Sequence, residues 1–334
     1  MITPRFALFF LFLCAGLGLS GCATNMTSVA TFGDATAAVA QQTTEVLPKM
    51  PQNCRELQTL FSEQRAIVSS ALTQKDTKNQ PVARKAALSA ANDVNDERGQ
   101  LDVYVESLAS ASGTVQGNCK LMDSYAPQLQ ALSSTLASYA SAVKALAQDQ
   151  YVTYRPEYGA LSKSVGSIPV GGTKSLLDPK QVDAINGVEA LIYKLATQSY
   201  RQSKLKEVLD NSKPVENVIQ QLQIVAGLYL VEIQGLAVAQ LNAAGAAKVL
   251  QQKQLLFEPI AVQEYVKGLQ AQQSVTKSRA SALQEYIQVL SKVGPTLTKA
   301  RDSINRVPLQ DTVREIEEFA HAAYSAQQSL RDAF

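Results

Sequence analysis

The chain has 334 residues, a formal net charge of +2 and a hydrophobic fraction of 46%. This length allows a large buried core in one or two domains. The near balance of 31 basic and 29 acidic side chains lacks the basic excess that attracts nucleic acids or anionic lipids, so we expect no nucleic-acid partner.

The N-terminus has the features of an export signal. Arg5 precedes an apolar stretch, Phe6 to Leu19, of about 14 residues, which fits the hydrophobic region of a signal peptide and is shorter than the roughly 20 residues of a membrane span. The stretch ends in Leu19-Ser20-Gly21-Cys22. These four residues resemble the lipobox of bacterial lipoproteins, which consists of Leu, a small residue, Gly or Ala, and Cys.

The resemblance implies that residues 1–21 are removed as a signal peptide and that Cys22 becomes the acylated N-terminus. The Cys22 thiol would carry a diacylglycerol, its amine would carry an acyl chain such as palmitate, and residues 22–27 would form a short tether. Ala23 replaces the Asp that retains lipoproteins at the inner membrane of enteric bacteria, so the outer membrane of a Gram-negative bacterium is favoured, on its periplasmic or surface face. An ordinary secretory signal with a coincidental Cys22 is the alternative.

Cys54 and Cys119 are the cysteines that remain once Cys14 is removed and Cys22 is acylated. A lone pair in an exported chain predicts a disulfide, with two free thiols as the alternative. Both follow an Asn in what we interpret as short connectors between helices. Closing a loop of about 65 residues would stabilise the fold by about 4 kcal/mol. We expect no metal, because this pair and His321 supply too few ligands, and we expect no cofactor.

Apolar residues at alternating spacings of three and four predict a helix at the start of the mature chain. Its inward face is formed by Val29, Phe32, Thr36, Val39, Thr43 and Val46. Pro48 and Pro51 would end this helix. A second helix over 54–73 and a third that begins at Pro81 are predicted to follow.

A fourth helix, expected to begin near Ser124 after Gly113 and Gly117 break the third, carries the most regular pattern. Its seam is formed by Tyr125, Leu129, Leu132, Leu136, Tyr139, Val143 and Leu146. A period of 3.5 residues indicates packing in the manner of a coiled coil.

Residues 151–179 lack this periodicity and are rich in glycine, proline and tyrosine. Irregular segments of this length are often functional, so we expect a contact loop here. The proposed contact residues are Tyr151, Tyr154, Tyr158, Gly171 and Gly172. A plain crossover between two halves of a bundle is the alternative.

Helical spacing resumes at Asp178-Pro179 and again at Lys213-Pro214. The segment 218–249 is the most apolar of the mature chain, and we interpret it as a central, buried helix because its glutamines and Glu232 disfavour a membrane span. No alternating run predicts a strand. We therefore predict an all-α fold: a single elongated helical bundle over 28–334, with about seven or eight helices, coiled-coil-like seams and no sheet.

The sequence carries no pattern that predicts catalysis. Glu317 and His321 lie one turn apart on the last helix, a spacing more typical of a surface pair than of a catalytic dyad. We expect a non-catalytic protein, held to the membrane through Cys22, that acts as an interaction or adaptor protein for a protein of the cell envelope. The alternatives are a protective inhibitor of the immunity or phage-exclusion type and a scaffold formed by self-association.

Overall fold

The structure is a computed structural model. It describes residues 5–46, 94–150, 179–196, 201–252, 259–305 and 310–334, with short pieces at 49, 51, 54–55, 58–59, 61–62, 152, 169–170 and 174–175. Side chains are described from Met26 onward, except in several helical stretches, among them 94–112, 179–181, 194–196, 201–203, 246–252 and 259–262.

Seven helices of ten residues or more lie in the described part of the chain and confirm the all-α class. They are α1 (Arg5–Val46), α2 (Val94–Ala147), α3 (Pro179–Ala196), α4 (Arg201–Asp210), α5 (Lys213–Gln252), α6 (Pro259–Asn305) and α7 (Gln310–Ala333). Helices α3 and α5 begin where Pro179 and Lys213-Pro214 predict a helix start.

Two short strands, β1 (Pro169–Val170) and β2 (Lys174–Ser175), pair antiparallel, with Pro169 opposite Ser175. The sequence predicted no strand. Each strand has only two residues, so the pairing is a local feature of the 151–179 segment and does not form a layer of the fold.

Contacts group the chain into two compact units. The first comprises Met1–Pro48, Ser124–Leu228 and Ser281–Phe334, and the second comprises Lys49–Asp123 and Tyr229–Ala280. The expectation of a single domain over 28–334 stays a prediction.

Helix α1 supplies one wall of the core of the first unit. All six residues of its predicted inward face are buried, from Val29 to Val46. The helix packs along α7, where the rings of Phe32 and Phe319 lie 5.7 Å apart between centroids. Its backbone is helical from Arg5 onward, and no proline interrupts residues 5–46. Residues 22–27, which we expected to form a tether, are therefore part of the helix.

The predicted seam of the fourth helix lies in the C-terminal part of α2. All seven of its residues, from Tyr125 to Leu146, are buried, as a coiled-coil-like row requires. The Tyr139 hydroxyl, buried in this row, donates a hydrogen bond to the carbonyl oxygen of Val208 on α4 at 3.4 Å. The periodicity therefore identified the packed face correctly.

The predicted break between the third and fourth helices is wrong. Helix α2 continues through Gly113, Gly117 and Pro127, and Cys119 lies inside it and not in a connector. A glycine inside a helix costs only about 1 kcal/mol relative to alanine, which the burial of flanking residues such as Val115 offsets.

Helix α2 ends in a left-handed cap at Asp149, whose φ is 59°. The Gln150 amide donates to the carbonyl oxygen of Ala145 at 2.7 Å, and the Asp149 amide donates to that of Leu146 at 3.2 Å. These two bonds satisfy carbonyl groups that the last helical turn leaves free.

Candidate functional site

Cys22, the predicted acylation site, lies within α1. The structure describes its backbone as helical and does not describe its side chain.

The predicted disulfide between Cys54 and Cys119 is confirmed. It joins a short helical piece at 54–55 to α2 across 65 positions of sequence, with the two Cα atoms 5.4 Å apart. Both residues belong to the second unit and are buried, Cys54 completely and Cys119 to within 5% exposure. The bond is therefore shielded from solvent reductants.

The predicted contact loop falls mostly outside the described residues. Tyr151, Tyr154, Tyr158, Gly171 and Gly172 all lie outside them, although the paired strands β1 and β2 flank the two glycines in sequence. The role of these five residues as a contact surface stays a prediction.

A polar cluster that sequence analysis missed ties three helices of the first unit together. Asp34 on α1 accepts a hydrogen bond from Lys144 on α2 at 2.5 Å through Oδ1, and another from the Tyr324 hydroxyl on α7 at 2.8 Å through Oδ2. The side chains of Lys144 and Asp34 are 38% and 45% exposed, so the cluster lies at the rim of the packed core.

The cluster shifts the pKa values of its members in opposite directions. Burial opposes ionisation of Asp34, but the hydrogen bonds from Lys144 and Tyr324 and the charge of Lys144 outweigh it and lower the pKa below its usual value of 3.8. Burial, the hydrogen bond to Asp34 and the charge of that carboxylate raise the pKa of Tyr324 to about 12. The arrangement stabilises an ionised carboxylate and a neutral phenol, which suits a structural tie between helices.

Helix α5 differs from the central, buried helix that the sequence predicted. One side is buried, through Val225, Tyr229, Ile233 and Leu236, but large apolar side chains are exposed on the other. The stretch Lys213–Gly245 is long and apolar enough to cross a membrane. Its most apolar 18-residue window has a mean hydropathy of 1.6, and only 33% of that window is buried. In the first unit, Ile224 and Leu228 are 48% and 39% exposed.

The part of α5 in the second unit carries what we call the α5 face. It is formed by the exposed residues Val231, Gln234, Gly235, Val238, Leu241, Asn242 and Gly245. Val231, Val238 and Leu241 are 62%, 56% and 58% exposed. Contiguous exposure of large apolar side chains is typical of an interaction surface, so this face is the best-described candidate binding site of the chain.

Glu317 and His321 are both exposed on α7. Among the described residues, no group of three or more His, Cys, Asp or Glu side chains is placed to hold a metal ion.

Comparisons of the chain with protein families, with curated proteins and with solved structures give no match.

Proposed function

We propose that this chain is an exported, lipid-anchored helical protein that acts as a non-catalytic interaction protein of the cell envelope. The observation that carries the proposal is the lipobox-like Leu19-Ser20-Gly21-Cys22 at the end of a signal-like apolar stretch. The buried disulfide between Cys54 and Cys119 supports export, because such bonds persist in oxidising compartments and are rare in the cytosol.

An anchor at Cys22 would hold the first unit close to the bilayer. Only residues 23–28 separate Cys22 from Val29, which is the first completely buried residue among the side chains that the structure describes. The seven residue-to-residue steps from Cys22 to Val29 span at most about 25 Å in an extended chain and about 10 Å in a helix. Several acyl chains give firm attachment, since each buried CH₂ contributes about 0.8 kcal/mol, and Ala23 favours sorting to the outer membrane.

An interaction role is supported by the surfaces that the chain presents. The α5 face exposes three large apolar side chains, and the glycine- and tyrosine-rich 151–179 segment is long for a plain connection. The polar cluster at Asp34 joins three helices through hydrogen bonds, which suits a structural role. Binding is therefore the function that these features support best.

Mass analysis of the mature N-terminus tests the anchor. We expect the mature protein to begin at Cys22 and to carry the mass of a diacylglycerol and one further acyl chain, and to incorporate a palmitate analogue in cells. Cys22→Ser should abolish incorporation and leave an unprocessed chain. Cys14→Ser is the matched control, because it changes a thiol in the removed segment and should leave acylation intact. A mature chain cleaved elsewhere, or without lipid, would contradict the anchor.

In-cell crosslinking and affinity capture test the interaction role. We expect one stoichiometric envelope protein to be captured with the acylated chain and to be lost with Cys22→Ala. Simultaneous substitution of Tyr151, Tyr154 and Tyr158 by alanine should reduce capture with helicity unchanged. Tyr193→Ala, at a tyrosine that is 55% exposed on α3, is the control. Equal recovery from both variants would remove the loop from the proposal.

A further inference from the structure

The α5 face has no charged residue. Its seven members are three large apolar residues, two glycines, Gln234 and Asn242. Glu232 follows Val231 directly, but each residue of an α-helix is rotated by about 100° from the one before it, so Glu232 lies outside the face. The Glu232 side chain is partly buried. A partner that bound through charge complementarity would find no ionic contact on this face.

The spacing of the face matches a helix-to-helix seam. Val231, Gly235, Val238, Asn242 and Gly245 follow one another at intervals of four, three, four and three. This is the 3.5-residue period that keeps one row of a helix against a partner helix. The opposite side of α5 is already occupied within the unit: Ile233 and Leu236 are buried, and Gln273 on α6 donates a hydrogen bond to the Ala237 carbonyl oxygen at 3.4 Å.

The chemistry of the face selects its occupant. A bilayer surface is bound by helices whose apolar side is bordered by Lys and Arg, and the face offers none. At a two-fold axis the same patch of two copies meets, and an uncharged face brings no like charges together there. In a parallel pair of helices, a single Asn in a row of this period pairs with the same residue of the other copy and fixes the alignment of the two helices.

We propose that the α5 face is a dimer surface on which the same face of a second copy of this chain packs. Val231, Val238 and Leu241 supply its apolar contacts, and Gly235 and Gly245 allow the two helix backbones to approach closely. The inference goes beyond the anchored interaction protein and does not depend on acylation of Cys22.

Cysteine crosslinking of the full-length chain in cells tests the surface. Single substitutions Val231→Cys, Val238→Cys, Leu241→Cys and Asn242→Cys cover both parallel and antiparallel pairing, and at least one should give a disulfide-linked product of twice the chain mass. Gln270→Cys and Lys277→Cys, exposed on α6 of the same unit, are the matched controls and should stay monomeric. The unsubstituted chain is a further control, because Cys22 would itself be a free thiol if the anchor proposal were wrong.

Two results would overturn the proposal. One is the absence of a dimer from all four positions, or as much dimer from the α6 controls. The other is a crosslinked product whose mass identifies a different protein, which would make the face a surface for a heterologous partner.

A charge introduced into the seam gives an independent readout. In sedimentation of purified full-length Cys22→Ala protein, Val238→Glu should raise the dimer Kd by about tenfold or more, because each copy would bury an unpaired carboxylate in the interface. Gln270→Glu adds the same charge on α6 and should leave the Kd unchanged, and circular dichroism should be equal for both. A Kd unaffected by Val238→Glu, or a parent protein that is monomeric at all concentrations, contradicts the proposal.

Discussion

The carbonyl oxygen of Ala140 on α2 passes so close to Gly33 on α1 that a β-carbon on Gly33 would lie 2.8 Å from it. The backbone nitrogen of Lys144 would be equally close. Both neighbours are backbone atoms, so neither can move aside by a change of rotamer. Glycine at position 33 therefore sets the distance at which α1 and α2 pack.

We expect Gly33→Ala to lower the free energy of unfolding by about 1–3 kcal/mol, because the added methyl group overpacks the contact. Urea unfolding followed by circular dichroism measures it. Gly227→Ala is the control in the same unit, since a β-carbon there meets nothing within 4 Å. That substitution should stabilise by about 0.5–1 kcal/mol through helix propensity. A Gly33→Ala protein as stable as the parent would show that the helices separate at no cost.

The Asp34 cluster makes stability depend on acidic pH. Asp34→Asn should cost about 0.5–1 kcal/mol at neutral pH, a small effect because the ion pair is more than one-third exposed. The pKa of Asp34 is lower in the folded than in the unfolded state, so its contribution is complete above the ordinary value of 3.8 and is lost as the pH falls through the folded value. The stability difference between parent and variant should therefore shrink below about pH 4. A stability difference that stays constant as the pH falls would contradict this role of Asp34.

Tyr324 tests the same cluster from the alkaline side. Its pKa of about 12 exceeds the usual value of 10, so its contribution is complete below pH 10 and is lost as the pH rises toward 12. In the Asp34→Asn protein, the pKa of Tyr324 should fall only part of the way toward 10 when titrated by NMR, because burial of the phenol remains. A phenol that still titrates near 12 in that variant would assign the shift to burial alone.

Local periodicity predicted the packed faces because burial along a helix repeats with the helix. Every seam residue from Val29 to Val46 on α1 and from Tyr125 to Leu146 on α2 is buried. The starts of α3 and α5 followed from proline, whose fixed φ suits the first helical turn. These features depend on residues within a few helical turns of one another, so they can be predicted from a single sequence.

The features that sequence analysis did not predict depend on contacts between distant parts of the chain. Gly113 and Gly117 look like helix breakers locally, but packing around Cys119 and Val115 holds α2 continuous. Asp34 gave no signal, because its partners are 110 and 290 positions away in sequence. Helix α5 is apolar on both sides, and periodicity cannot tell a side covered by the same chain from one left exposed.

The Cys54–Cys119 disulfide should contribute about 4 kcal/mol to stability, because it closes a loop across 65 positions of sequence in the unfolded chain. The Cys54→Ala/Cys119→Ala double variant should have a free energy of unfolding that is lower by that amount, and urea unfolding measures it. Reduction of the unfolded parent should give the same loss, and reductant should leave the double variant unchanged. A parent insensitive to reductant after unfolding would show that the bond does not form in the isolated protein.

Asp149 ends α2 in the left-handed region, which a β-carbon disfavours by about 1–2 kcal/mol. We expect Asp149→Gly to raise the free energy of unfolding by about 0.5 kcal/mol, the relief of this penalty less the greater freedom that glycine adds to the unfolded chain. Gln148→Gly is the adjacent control. Gln148 has no positive φ, so the free energy of unfolding of the Gln148→Gly variant should fall by about 0.5–1 kcal/mol. Thermal unfolding of both variants measures the change in stability. A gain for Asp149→Gly with a loss for Gln148→Gly supports the left-handed cap. A loss of stability in both variants would mean that the Asp149 side chain stabilises the turn by more than its backbone conformation costs.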